Sequence, residues 1–239
     1  MNGARSTTDN RWALVVGASR GLGLGLAAEL QNRGWNVVAT VRDKAGERRV
    51  QALVGKAGGE VRVEDADISD DAAVAALRRR LDEKTFDLVF VNAGIAPAGR
   101  DDAAHASRDE AAEIFLTNAV APIRLARAFL DRVRDGPGII AFMSSGLGSV
   151  ADKTDSYSDL YSASKAALNS LSRSFAASLG RRRLTALAVA PGWVRTDMGG
   201  RSAPLSVEES VRGIVDVLES RAGTGRHGFV DHRGREVAW

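Results

Sequence analysis

Tyr161 and Lys165 stand four residues apart and offer the clearest chemistry in this sequence. On a helix from about Leu160 to Leu179 they lie one above the other, because residues i and i+4 share a helix face. A free phenol titrates near ~10, and a neighbouring ammonium favours the phenolate, so such a pair can hold a proton donor or acceptor usable near neutrality. The same spacing is common on ordinary helices, so the pair takes its meaning from the elements that position it.

Those elements alternate along the chain. Trp12 to Val16 is a short apolar run that reads as a strand buried on both faces. It is stopped by Gly17, Ala18, Ser19, Arg20, Gly21, Leu22 and Gly23, after which Leu26, Ala27 and Leu30 recur at helical spacing as far as Gly34. A strand, a glycine turn and a helix in that order suit a pyrophosphate, since glycine lets the backbone approach it and the free N–H groups of the helix start receive its charge. Asn36 to Val41 supplies a second strand. By spacing from the glycine turn, Val41 stands where an acid would bind a ribose 2′-hydroxyl, and Arg42 follows it. Arg42, with Arg20 as a second cation, therefore favours NADP(H) over NAD(H), and Asp43 is the residue that could reverse the choice.

A charged helix from about Lys44 to Val54 and a strand from Val61 to Glu64 come next, with Asp67 just beyond. Asp70 reads as the cap of a helix carrying Ala73, Val74, Leu77 and Leu81. Leu88 to Val91 is a fourth strand, closed by Asn92, Ala93 and Gly94. Pro97 to Ala106 reads as loop. From Asp109 to Arg134 a long helical pattern is interrupted by Asn118 and by Pro122, which should kink or split it. A polar Asn118 in that pattern has a plain reading, the satisfaction of freed backbone groups. Ile139 to Met143 delivers Ser144, Ser145 and Gly146 to the same carboxyl edge, and a polar loop from Leu147 to Asp159 leads into the helix of Tyr161. On that helix Leu168, Leu171, Phe175 and Leu179 line one side. Ala163, Ala167, Ser170, Ser174 and Ala177 line another, where small residues permit close packing, including against a second subunit. Leu184 to Val189, a helix from about Val207 to Glu219 and a short strand near Gly228 to Val230 complete the series. Alternation of this kind argues for a parallel sheet covered by helices on both faces, with ligands beyond the carboxyl ends of the strands.

Composition narrows the function classes. The chain has 239 residues, 44% hydrophobic and 26% charged, which suits one α/β domain large enough to bury a core. It has no cysteine, so disulfides, thiolate metal sites and a cysteine nucleophile are excluded. The first ten residues lack the apolar core of a secretory signal, and no apolar run approaches a membrane span, so a soluble protein in a cytoplasmic setting is expected. Net charge is +3 because 33 basic residues are interleaved with 30 acidic ones, which is no footprint of nucleic-acid binding. The runs Arg78 to Arg80 and Arg181 to Arg183 fall near helix ends and suit the helix dipole. His105, His227 and His232 have no spacing suited to a metal and read as solvated, so no metal is expected.

In order and spacing, Gly17 to Gly23, Asn92-Ala93-Gly94, Asn118, Ser145, Tyr161 with Lys165, and Pro191-Gly192 resemble the signatures of the short-chain dehydrogenase/reductase family. The resemblance covers the chain from Trp12 to its C-terminus. Within the family, Trp193 to Gly200 and the ending from Gly228-Phe229-Val230 to Trp239 look like the subgroup of C-factor signalling proteins and Sniffer-type carbonyl reductases. The resemblance implies a flexible segment 1–10 and, over 11–239, a single-domain Rossmann fold, a doubly wound parallel sheet of about seven strands. It implies an NADP-dependent enzyme that reduces a ketone or aldehyde to an alcohol: Tyr161 donates a proton to the carbonyl oxygen, Lys165 lowers the tyrosine pKa and binds the nicotinamide ribose, Ser145 rather than Ser144 orients the carbonyl, and Asn118 holds a water of a proton relay. The cofactor would be held by Gly17, Ser19, Arg20, Gly21, Leu22, Gly23, Arg42, Asp67 at the adenine amino group, Ile68, Asn92, Ala93, Gly94, Pro191, Gly192, and Val194 and Thr196 at the carboxamide, together with Tyr161 and Lys165.

The sequence departs from the family pattern at Val16, where threonine is usual, and at Val91, where asparagine is usual. Neither change removes a reacting group. The interval from Ser145 to Tyr161 is longer than the commonest one, so residues 147–159 should form an extended wall of the substrate site. Residues 198–206 are short where a larger lid is frequent, which predicts an open pocket. Two other readings stay open: a dinucleotide-binding signalling protein of the C-factor kind, and an NAD-dependent alcohol dehydrogenase working in the oxidative direction.

Overall fold

β1 (Trp12–Val16) is buried at every position, as its unbroken apolar run requires. The structure, a computed structural model, describes residues 11–53, 58–97, 101–154 and 157–239. Segment 1–10, Val54, and the parts 98–100 and 155–156 of two expected loops lie outside the described residues.

Strands and helices follow in the order β1, α1 (Gly21–Asn32), β2 (Asn36–Val41), α2 (Lys44–Gln51), β3 (Val61–Asp65), α3 (Asp71–Arg80), β4 (Leu88–Val91), α4 (Arg108–Phe115), α5 (Ala121–Ala128), β5 (Ile139–Met143), α6 (Asp159–Ala177), β6 (Thr185–Ala190), α7 (Val207–Arg221) and β7 (His227–Asp231). All seven strands pair in parallel in one sheet, ordered β3-β2-β1-β4-β5-β6-β7. The order reverses between β1 and β4, where Val16 pairs with Val91, and that switch point opens a crevice at the carboxyl edge.

Alternating side chains divide the core into two layers. Ala13, Val15, Val37 and Ala39 face Leu26 and Leu30 of α1 and Val211, Ile214, Val215 and Leu218 of α7. Leu14, Val16, Val89 and Val91 face Leu77 of α3, Leu125 of α5, and Leu168 and Phe175 of α6. Both faces of the sheet are covered, which is why the strands show no polar alternation. The parallel sheet expected from the alternation, and the Rossmann fold that the resemblance implies, are the ones formed.

Asp70 caps α3 as its position predicts, accepting from the Ala72 N–H at 2.8 Å. Arg78, Arg79 and Arg80 occupy the last turn of α3, with Arg78 paired to Asp131 and Arg80 to Glu64. The long helical pattern is split, as Pro122 predicts: a π-helical turn, Leu116–Val120, separates α4 from α5, and Pro122 falls in the first turn of α5. A proline has no N–H for the preceding turn, and the wider turn ahead of it accommodates the loss. Asn118 lies inside that π turn.

His105 follows expectation, and the other two histidines depart from it in part. His105 is exposed and pairs with Asp102 at 2.8 Å. His227, however, opens β7 instead of lying in a loop, and stacks on Trp239 with ring centres 5.0 Å apart. Its Nε2 and the Nδ1 of His232 are buried without a hydrogen-bond partner, although both residues are half-buried, so these two rings are solvated only in part. Burial lowers the pKa of both. His227 is half-buried at the start of this edge strand, a placement that the local sequence does not disclose. Among the described residues no three histidine, aspartate or glutamate side chains cluster as a metal site, and no helix is long and apolar enough to cross a membrane.

Candidate active site

The glycine turn is built for close backbone approach. Gly17 has φ +84, and a Cβ there would come within 2.8 Å of the Ala93 backbone. A Cβ on Gly23 would come within 2.1 Å of the Gly17 carbonyl oxygen. The turn is pinned by Thr40, whose Oγ1 accepts from the Gly17 N–H at 3.0 Å, and by Asn92, whose Nδ2 donates to the Gly17 carbonyl at 2.8 Å. Arg20 occupies the cap position of α1 but makes no side-chain cap, and the first turn carries no acidic residue. The opening N–H groups of α1 and their share of the helix dipole are thus left for an anion. A dinucleotide pyrophosphate fits this cradle. Asn92 acts on the turn itself, a role its position in Asn92-Ala93-Gly94 did not announce.

The end of β2 sorts the charged residues. Val41 is buried and offers no acid. Asp43 caps α2, accepting from the Gly46 N–H at 2.6 Å, and that bond holds its carboxyl below the usual range. Arg42 is 3.5 Å from Asp67, with its side chain 61% exposed and able to reach a ligand. Burial pushes Asp67 up, but the Ser69 hydroxyl and N–H, with Arg42, hold it below its ordinary value. The neighbouring Ile68 side chain is buried in the core, so only its backbone faces the crevice. One residue of this region was not found from sequence: Arg49 of α2 donates to the Ser19 carbonyl at 2.6 Å. Only the close seating of α2 on the glycine turn reveals it; a Cβ on Gly46 would lie 2.6 Å from the Ser19 Cβ.

β5 and α6 bring the candidate catalytic groups together. Ser144 is buried and donates to the Asn169 Oδ1 at 2.6 Å, while Asn169 donates to the Gly148 carbonyl at 3.0 Å. Ser144 therefore fixes the turn Gly146–Gly148, and Ser145 is the serine whose hydroxyl meets the Tyr161 phenol. Burial pushes the phenol up to about 12, against the opposing Ser145 hydrogen bond. Lys165 is buried, donates to the Met143 carbonyl at 2.9 Å, and is pushed down to about 8 by burial. Burial therefore sets the direction of the tyrosine shift, and the one opposing contribution comes from Ser145, not from Lys165. Asn118 is fully buried. Its Oδ1 accepts from the Ile95 N–H at 2.8 Å, and its Nδ2 donates to the Ile95 carbonyl at 2.8 Å and to the Ser164 Oγ at 3.0 Å. The side chain satisfies the backbone of Ile95 after β4, not the groups that Pro122 frees in its own helix. A Cβ on Gly94 would lie 3.2 Å from Asn118 Oδ1 and 3.3 Å from Lys165 Nζ, so β4, the π turn and α6 converge at that glycine. Asp101, also missed from sequence, accepts from the Leu160 N–H at 2.7 Å at the start of α6.

The loop after β6 closes the other side. Pro191 accepts from Ser210 Oγ at 2.8 Å, and Gly192 has φ +81. Val194 is buried, so only its backbone is available. The Thr196 hydroxyl accepts from the Gly199 N–H at 3.0 Å, and its methyl group lies 3.5 Å from where a Gly21 Cβ would be. Arg20 and Asp197 bridge the crevice at 2.8 Å. Trp193 is 57% and Met198 53% exposed on this segment. Leu22 packs against the core from the first turn of α1.

Phosphate cradle and proton-handling side chains share one sheet edge, which places the chain in the class of dinucleotide-dependent oxidoreductases. A family model described as enoyl-(acyl carrier protein) reductase matches residues 17–231. The chain belongs to the short-chain dehydrogenase/reductase family. It is similar to a carbonyl reductase from Pseudomonas aeruginosa PAO1 solved in complex with NADP, at 43% identity over 96% of this chain and 99% of that one, with a TM-score of 0.88. The carbonyl reductase Sniffer of D. melanogaster is 31% identical, with 96% of this chain and 99% of that one covered and a TM-score of 0.79. The C-signal protein of Myxococcus xanthus is 38% identical over 129 residues, 54% of this chain and 78% of that one.

Proposed function

We propose that the protein reduces a ketone or aldehyde to an alcohol with NADPH, with Tyr161 as the proton donor. The observation that carries this reading is the Tyr161 phenol, hydrogen-bonded to Ser145 and held protonated by burial, at the edge of the sheet that carries the glycine cradle. A phenol pushed up to about 12 keeps its proton at neutral pH and gives it to an alkoxide-like oxygen as that oxygen gains charge. The same shift disfavours the oxidative direction, which needs a phenolate base.

The glycine turn and the opening of α1 hold the pyrophosphate, and Arg42 with Asp67 and Arg20 receives the adenosine end and its 2′-phosphate. The NADP carried by the Pseudomonas carbonyl reductase supports that choice. When bound, the nicotinamide supplies the hydride. Ser145 donates to the substrate carbonyl and orients it, Tyr161 passes its proton to that oxygen, and Lys165 replaces its bond to Met143 with one to the ribose. Asn118, through its backbone in the π turn, holds a water that returns a proton toward Lys165.

The likeness to C-signal favours a second reading, in which the dinucleotide site serves signalling and turnover is incidental. A panel of aldehydes, ketones and quinones with NADPH separates the two, using the native protein and Tyr161→Phe. Turnover by the native protein alone, with cofactor bound by both, is the expected result. Cofactor binding by both without turnover of any carbonyl would overturn the enzymatic reading.

A further inference from the structure

We infer that Asp101 is a positioning residue for Tyr161, capping the catalytic helix from a different loop. The inference rests on the enzymatic reading of Tyr161 above.

α6 starts without a cap of its own. Ser158, at the cap position, has φ 62 and ψ 61, the left-handed conformation, and makes no side-chain cap bond. Among the described residues it is the single non-glycine with positive φ. A capping serine is ordinarily extended, so that its hydroxyl can turn back onto the N–H groups of the first turn. In the left-handed conformation that return is lost, and the Ser158 hydroxyl instead donates to Asp101 Oδ2 at 2.7 Å.

The Asp101 carboxylate fills the missing role. Its Oδ1 accepts from the Leu160 N–H at 2.7 Å, and both oxygens lie 3.4 Å from the Tyr161 N. Its carbonyl accepts from the Asp159 N–H at 3.3 Å, and Asp159 returns the contact by accepting from the Ala103 N–H at 3.2 Å. This is a reciprocal cap made between two segments far apart in sequence, and it places a negative charge at the positive end of the helix. Backbone strain at Ser158 is maintained by the same contacts.

What the cap positions is specific. The N–H that approaches Asp101 at its weaker end belongs to Tyr161 itself. The Tyr161 carbonyl accepts from Ser164 Oγ at 2.7 Å, Ser164 accepts from Asn118, and Asn118 holds Ile95 at the start of the segment that leads to Asp101. The backbone of Tyr161 is thus held from its N–H side by Asp101 and from its carbonyl side by the Ser164–Asn118 chain. The phosphate cradle lies elsewhere and shares none of these bonds.

Three measurements on the full-length protein test the role: amide exchange at Leu160 and Tyr161, NADP affinity, and steady-state reduction of a carbonyl accepted by the native protein across pH. Asp101→Ala should speed exchange at both amides and lower kcat roughly tenfold or more, since small misplacement of a reacting group costs rate steeply. NADP affinity should stay within about twofold, because the cap touches no phosphate-binding group. Asp101→Asn keeps an acceptor oxygen and should restore kcat and the pH profile to within about threefold of native. If Asp101→Ala lowers only the melting temperature, with kcat and pH profile unchanged while folded, the positioning role is overturned. It is also overturned if Asp101→Asn is as slow as Asp101→Ala, or if exchange at Leu160 and Tyr161 is unaltered. Should Asp101→Ala not fold, Asp101→Asn and Ser158→Ala, compared by exchange and by kcat, decide the same question. A native protein that reduces no carbonyl would defeat the enzymatic reading, while the exchange data would still report the cap.

Discussion

Lys165 holds its ammonium 5.7 Å from the centre of the Tyr161 ring, while its hydrogen bond goes to the Met143 carbonyl. The two groups are adjacent, and each resists the charge the other would favour. Burial raises the phenol to about 12 and lowers the ammonium to about 8. A cofactor that brings hydroxyl groups to Lys165 changes the balance, because the ammonium then gains partners other than one carbonyl.

The pair predicts an unusual dependence of stability on alkaline pH. Lys165 has a folded pKa of about 8 against an ordinary 10.5, so between those values the unfolded chain carries the proton and the folded one does not. Stability then rises with pH across that window, by on the order of 3 kcal/mol at about 1.4 per unit. Tyr161 acts oppositely above its ordinary 10.0, where the unfolded phenol ionises and the folded one does not until about 12. Urea melts of the cofactor-free protein and of Lys165→Met should differ by a term that grows from pH 8 to 10. A constant difference across that range would contradict the buried ammonium.

Arg42 should set the cofactor preference. Losing a charge-assisted contact to phosphate costs roughly 1.5–3 kcal/mol, so Arg42→Ala should weaken NADP binding by about one to two orders of magnitude. NAD affinity should change little. A preference for NAD in the native protein, unaffected by Arg42→Ala, would remove the NADP assignment.

Asp43 should have no part in that preference. Its carboxylate is committed to the Gly46 N–H, so Asp43→Ala should lower the melting temperature by a few degrees through loss of a cap. The ratio of NADP to NAD affinity should remain nearly the same, whereas a shift toward NADP comparable to the Arg42 effect would show that Asp43 faces the ribose.

Gly23 is the strictest position of the cradle. A Cβ there would meet the Gly17 carbonyl oxygen at 2.1 Å, so Gly23→Ala must displace the turn. Calorimetric titration should show NADP binding lost or weakened at least about tenfold, in line with the fixed geometry that anion binding at a helix start demands. Unchanged affinity would mean that the turn yields without cost.

The sequence by itself determined the elements and their order. Apolar runs such as Leu88 to Val91 and Ile139 to Met143, glycines at Gly17 and Gly23, and the cap at Asp70 are local signals, set by backbone sterics and by burial on two faces. It also supplied the candidate groups Asn118, Ser145, Tyr161 and Lys165 in an order that resembles one family. Tertiary structure alone decided how those groups are employed. Asn169 claims Ser144 and leaves Ser145 to Tyr161; Gly17 claims the side chain of Asn92; Ile95 and Ser164 claim that of Asn118; Asp101 reaches α6 from the loop region after β4. Each of these pairings joins residues at least sixteen positions apart. Their distances depend on strand register and on how closely helices seat against the sheet, and no local pattern of side chains encodes either.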